Sequence, residues 1–234
     1  MNVLAIGCHP DDIEISCAGT LAKCVKRGDK VITAHVCNGN MGHVIIPPDE
    51  LAVIRRAEAE RAGSLAGIEV IDLDIGDLLV NGADMEHRNK VIDLIRYADP
   101  DFIITHSPTD YMPDHLAVHQ LVFDAAFSAS CPQFRKGEYA ASKVTPLYYM
   151  DNLAGTRFEP TIYVDITDEI ELKLEMLECH ESQLKWMRDH DHIDFADFVR
   201  TCSKFRGYQS NCTYAEGFTE ALVYPKMVAR RLLP

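Results

Sequence analysis

The strongest constraint on the fold of this chain is an alternation of two periodicities. Short apolar runs of strand length, at Val3–Cys8, Lys30–Cys37, Ile68–Leu73 and Asp101–His106, are separated by longer stretches whose apolar residues recur at helical spacing. Ile13, Cys17 and Leu21 begin the first helical stripe, which ends at the capping residue Gly28. Leu51, Ile54, Ala57, Ala62 and Leu65 mark a second between Glu50 and Ala66, and Val91, Ile92, Leu94 and Ile95 a third between Met85 and Tyr97. Leu116, Val118, Leu121 and Val122 mark a fourth. Strand followed by helix, four times over, predicts an α/β fold: a Rossmann-like, doubly wound, mostly parallel sheet with helices on both faces.

Beyond residue 130 the pattern is mixed. Pro146–Met150 and Thr161–Asp165 read as two further strands, Thr167 to about Asp189 as one long helix, and Phe195–Phe205 as another. Phe218–Tyr224 reads as a last edge strand, and the polar stretch Cys131–Ser142 as a lid at a pocket mouth. At 234 residues the chain is expected to be a single domain. Residues 1–130 form its Rossmann-like core and 131–234 add the strands and helices that complete the pocket.

A formal charge of −13 excludes a general nucleic-acid binder, which needs a basic face, and weighs against an anionic membrane surface. No apolar run approaches the roughly 20 residues of a membrane span. Met1 leads directly into the first strand without the basic start of a signal peptide. The eight cysteines contain no CxxC pair and lie mostly in apolar stretches, which reads as reduced thiols in a cytoplasmic protein.

Chemistry concentrates in two loops. His9-Pro10-Asp11-Asp12 closes the first strand, at the edge where open α/β sheets place their ligands. Either aspartate would suit a helix cap, but with Glu14 so close the crowded charge favours a cation. The fourth strand runs into His106-Ser107-Pro108-Thr109-Asp110-Tyr111-Met112-Pro113-Asp114-His115. If the first and fourth strands are neighbours, His115 joins His9 and an aspartate of the first loop as three ligands with an open fourth position, the mark of a catalytic zinc. His43, His190 and His192 read as solvated, and His119 as a supporting or surface residue. Arg55 and Glu58 read as a surface ion pair. The first turn has no GxGxxG, so a dinucleotide site there is not expected.

Taken together, His9-Pro10-Asp11-Asp12, Arg55-x-x-Glu58 and Pro113-Asp114-His115-x-x-x-His119 resemble the PIG-L/LmbE-like family of zinc-dependent de-N-acetylases. Tyr163–Thr167, Lys173, His180-Glu181-Ser182-Gln183 and Tyr214–Phe218 extend the resemblance to nearly the whole chain. It implies hydrolysis of the N-acetyl group of a small N-acetylglucosamine-type sugar conjugate. It further implies one Zn2+ per chain on His9, Asp12 and His115, with Asp11 as general base and Arg55 and Asp114 contacting substrate. Assembly as a trimer or hexamer is a further implication. The chain departs from the family pattern at Ile13, where Glu is usual, and at Met112, where many members carry a histidine that assists the reacting amide. His106 and Tyr111 are the nearest replacements. A metal-containing sugar-binding protein that has lost catalysis through Met112 is the alternative reading.

Overall fold

The computed structural model describes residues 1–135, 137–227 and 231–234. A seven-stranded sheet has the order β3-β2-β1-β4-β5-β7-β6. The parallel part comprises β1 (Asn2–Gly7), β2 (Lys30–Cys37), β3 (Glu69–Ile75), β4 (Phe102–Thr105) and β5 (Leu147–Met150). Strands β1 and β4 are hydrogen-bonded neighbours, with Ile6 beside Thr105. The strand order reverses there, so the two loops that follow these strands open into one crevice.

The strands read as continuous apolar runs because both faces are covered. Val3 and Ala5 face a core built with Leu21 and Cys24 of α2 (Ala18–Lys26), Ala62 of α3 (Pro48–Ala66), Leu174 and Leu177 of α6 (Ile170–Glu178), and Val199 of α8 (Phe195–Ser210). Leu4, Ile6 and Cys8 face the opposite core, with Val91, Ile92 and Ile95 of α4 (Met85–Ala98) and Val118, Leu121 and Val122 of α5 (Pro113–Ser128).

Four expectations need correction. The first helical stripe is broken at Cys17 into α1 (Asp12–Ser16) and α2. The break gives α2 its own N-terminus, where Gly19 and Thr20 donate to the buried Glu216 carboxylate at 3.0 and 2.7 Å. The long helix is likewise two, α6 and α7 (Glu181–Asp191), parted at Cys179–His180. Apolar period alone cannot show this break, because its cause is tertiary: the Glu58 carboxylate accepts from the Ser182 backbone at 2.8 Å and its hydroxyl at 2.7 Å.

The last strand, β7 (Ala215–Glu220), is not at an edge. It inserts antiparallel between β5 and β6 (Ile162–Asp165), and β6 is the edge strand. Nor do the described residues of the 131–142 stretch form a lid: none of them lines the pocket. Helix α5 starts at the carboxyl edge of the sheet and runs back, so its successor emerges at the far end. There Arg96 of α4 donates to the Cys131 and Arg135 carbonyls at 3.1 and 2.6 Å, and Tyr139 packs on Tyr97. All eight cysteines are free thiols. No described helix is long and apolar enough to cross a membrane.

Candidate active site

Pro10 ends β1's extension, and the chain turns sharply at Asp11, which stands at φ 122. That is an unusual conformation for a residue with a side chain. Neither aspartate caps its own helix: the Asp11 side chain makes no capping bond. Asp12 folds back instead, its Oδ2 accepting from the His9 and Cys8 backbone at 2.6 and 3.1 Å. From the β4 loop, Pro113 opens α5 and brings Asp114 and His115 into its first turn.

His9, Asp12 and His115 converge, with one ligand-capable atom from each within 4.8 Å of the others. His115 Nε2 lies 3.3 Å from Asp12 Oδ1, and His9 Nδ1 lies 3.6 Å from Asp12 Oδ2. The remaining nitrogen of each ring has a carboxylate of its own. His115 Nδ1 is 3.0 Å from Asp110 Oδ2, and His9 Nε2 is 3.3 Å from Asp114 Oδ2. Such pairing fixes ring orientation and tautomer. It leaves His115 Nε2 buried without a hydrogen-bond partner, aimed at the cluster.

The electrostatics follow from the packing. Burial favours the neutral form of Asp12, yet His115, His106 and His9 around it hold its carboxyl well below the usual carboxylate range. Burial opposes a charged His115, but Asp12 and Asp110 push it up to about 10. Asp11 is different: burial pushes it up to about 6, against the pull of Arg55. Two adjacent aspartates therefore have opposite proton affinities, which is how acid–base pairs are separated in enzyme sites.

Arg55 and Glu58 do not form a surface pair. Both are buried and turn to different partners. Arg55 Nη2 lies 3.2 Å from Asp11 Oδ2 and also donates to the Pro10 carbonyl, while Nη1 donates to Gly39 O at 3.3 Å. Arg55 and Asp114 both line the pocket, and Asp114 Oδ2 also accepts from the Leu78 backbone at 2.9 Å. His106 is enclosed: its Nε2 accepts from Cys8 N at 2.8 Å, its ring stacks on His115 at 3.9 Å, and burial with His115 pushes it down to about 4. Of the two replacements for a histidine at position 112, only Tyr111 lines the pocket.

The other histidines have local roles or none. His119 Nδ1 bonds the His106 carbonyl at 3.1 Å and packs on Tyr149. His43 is half-buried, accepting from Ile45 and Ile46 at 3.1 and 3.2 Å, and His190 and His192 are exposed. Sequence reasoning missed Asp110, Asp77 and the Glu14–His180 pair. Asp77 holds the β2 loop by accepting from Gly39 and Met41 at 2.8 and 3.0 Å. Asp110 had a signal, an acid in the same loop as a candidate ligand; the others are joined only by the fold.

Residues 4–126 match the profile of a family described as PIG-L: GlcNAc-PI de-N-acetylase. The chain belongs to the PIG-L family. The diacetylchitobiose deacetylase of Thermococcus kodakarensis is 29% identical over 228 residues, covering 92% of this chain and 81% of the relative. The 4-oxalmesaconate hydratase of Pseudomonas putida is 26% identical over 186 residues, covering 74% and 67%. The N,N'-diacetylchitobiose deacetylase of Pyrococcus horikoshii, solved with its inhibitor MPG, superposes with a TM-score of 0.81 at 28% identity, over 93% of this chain and 82% of that one. Proteins similar to this chain thus include diacetylchitobiose deacetylases as well as a hydratase.

Proposed function

We propose that this protein is a zinc-dependent N-deacetylase, releasing acetate from the amine of an N-acetylglucosamine-type sugar conjugate in the cytoplasm. The observation that carries the reading is the convergence of His9, Asp12 and His115 with Asp11 beside them in one pocket. The donor set fits a metal: two imidazoles and a carboxylate suit zinc, and the unpartnered His115 Nε2 points into the cluster. His9, Asp12 and His115 would hold one ion per chain. When bound, it would lower the pKa of a water to about 7 and polarise the amide carbonyl.

Asp11 is the general base. Its raised proton affinity suits it to take a proton from the attacking water and return it to the nitrogen as the C–N bond breaks. Acetate and a free amine are the products. Asp110 and Asp114 hold the two rings, and Arg55 holds Asp11. The pocket draws on both parts of the chain, since Asp151, Gln183 and Phe195 line it with the residues of the first loops.

Met112 supports one alternative. It lines the pocket with a thioether that neither donates nor accepts a proton, which favours a sugar-binding protein with little catalysis. Acetate release from N-acetylated amino sugars, metal-loaded against chelator-treated, separates the two. Metal-dependent release supports the enzyme; binding of an uncleaved sugar supports the alternative.

A further inference from the structure

The pocket that holds the His9–Asp12–His115 cluster has a volume of about 480 Å3, more than one N-acetylated sugar ring fills. The excess is apolar. Met41, Leu78 and Tyr111 stand at the mouth, 53%, 76% and 47% exposed, with Met112 beside them. Met187 of α7 and Phe195 of α8 supply further apolar lining. Large side chains left this open to water at one place need a partner, and here the place is the entrance to the reacting centre.

The charged side chains are already engaged. Among the lining residues Arg55 is the sole lysine or arginine, and it is tied to Asp11, Pro10 and Gly39. Asp77, Asp110 and Asp114 serve backbone groups or histidines. Asp151 is forked onto Arg206 at 2.6 and 3.1 Å. An adjoining chamber of about 270 Å3 shares Ile15, Ser16, Asp151 and Leu153 with the pocket. Its cations are engaged too, Lys173 with Glu216 at 2.5 Å and Arg206 with Asp151. Ser16 and Gln183 remain for sugar hydroxyls.

We infer that the group carried by the N-acetylated sugar is uncharged and apolar, an alkyl or aryl substituent seated against Met41, Leu78, Tyr111 and Met112. This inference names the substrate class of the proposed deacetylase and rests on that reading. Among the described residues, a phosphorylated or carboxylated substituent meets no free lysine or arginine, in a pocket already rich in aspartate. It would lose its hydration without a compensating partner.

The test compares three compounds on the metal-loaded protein: octyl N-acetylglucosaminide, N-acetylglucosamine, and N-acetylglucosamine 1-phosphate. The octyl glycoside is expected to exceed the free sugar in kcat/KM by about tenfold or more, and the phosphate to fall below it. A phosphate that is cleaved as well as the octyl compound overturns the inference. Calorimetry with Asp11→Asn reads the same preference from binding, independently of turnover. No acetate from any compound, with the octyl glycoside still bound tightest, ends the deacetylase reading and keeps the apolar substituent. Equal binding of all three ends the inference whatever the reaction. Met41→Lys is expected to shift the octyl-to-phosphate ratio about tenfold toward the phosphate, and an unchanged ratio also contradicts it.

Discussion

Arg55 and Asp11 form a buried ion pair across the site: Nη2 of Arg55 lies 3.2 Å from Oδ2 of Asp11. The same guanidinium donates to the carbonyl of Pro10, so it grips both the side chain of the residue at φ 122 and the carbonyl just before it. A non-glycine residue in such backbone costs about 1–3 kcal/mol and persists where its surroundings over-determine it. Arg55 is what over-determines this one.

Arg55→Met is therefore expected to lower kcat by about 10²-fold, through misplacement of Asp11, with a smaller change in KM. It should also destabilise the protein by about 3–5 kcal/mol, because a buried carboxylate loses its partner. Steady-state kinetics on an N-acetylated sugar decide the matter. A raised KM with unchanged kcat would mean that Arg55 binds substrate instead.

Gly39 makes room for that arginine. It stands at φ 75, and a Cβ there would lie 2.6 Å from Arg55 Cδ and 2.7 Å from Nε. A free side chain would move aside, but this one is tied to Asp11 and Pro10. Gly28, at φ 89, has nothing within 4 Å of its would-be Cβ. Gly28→Ala should thus show only the backbone penalty of about 1–2 kcal/mol, with activity intact. Gly39→Ala should lose more stability and most of its turnover. Equal Tm shifts and equal rates in the two variants would contradict this account.

Glu14 and His180 are enclosed together, with Oε2 and Nε2 3.3 Å apart. Burial opposes both charges. Nevertheless, each holds the other ionised, so His180 is raised and Glu14 lowered. The raised His180 stabilises the fold fully below its unfolded pKa and loses this as pH rises through the folded one. The lowered Glu14 contributes above its unfolded pKa and loses this as pH falls through its folded value. The pair is therefore worth most between about pH 4.3 and 6.5. His180→Leu should cost about 3–5 kcal/mol there, and its Tm deficit should shrink toward alkaline pH. A deficit independent of pH would show that packing alone is lost.

Metal removal should be visible in stability as well as in rate. A ligand that binds only the folded protein adds about 2.7 kcal/mol at a concentration of about 100 Kd, or about 5–10 °C of Tm in a chain of this size. Zinc titration followed by thermal unfolding should show that rise in the wild type and none in His115→Ala. A wild-type Tm unmoved by zinc or chelator would remove the metal from the account.

The parallel half of the fold was legible because its strands are buried on both faces and read as unbroken apolar runs, with helical stripes between them. The meeting of His9 and His115 was legible for a related reason: the topology of such a sheet brings the loops after neighbouring strands together. What escaped was set by long-range polar contacts. The break before α7 depends on Glu58, 124 residues from Ser182 in the chain, and β7's central place on pairing with both β5 and β6. Arg55 beside Glu58 looked like a surface pair because i,i+3 spacing says nothing about which way a buried helix faces.

The central claim is that Asp11 moves the proton while His9, Asp12 and His115 hold the metal. Metal content and acetate release, measured side by side on wild type, Asp11→Asn and His115→Ala, test it most directly. Asp11→Asn should retain one zinc per chain and lose turnover by about 10²-fold or more, and His115→Ala should lose both zinc and turnover. Wild-type turnover in Asp11→Asn, or full zinc occupancy in His115→Ala, would contradict it.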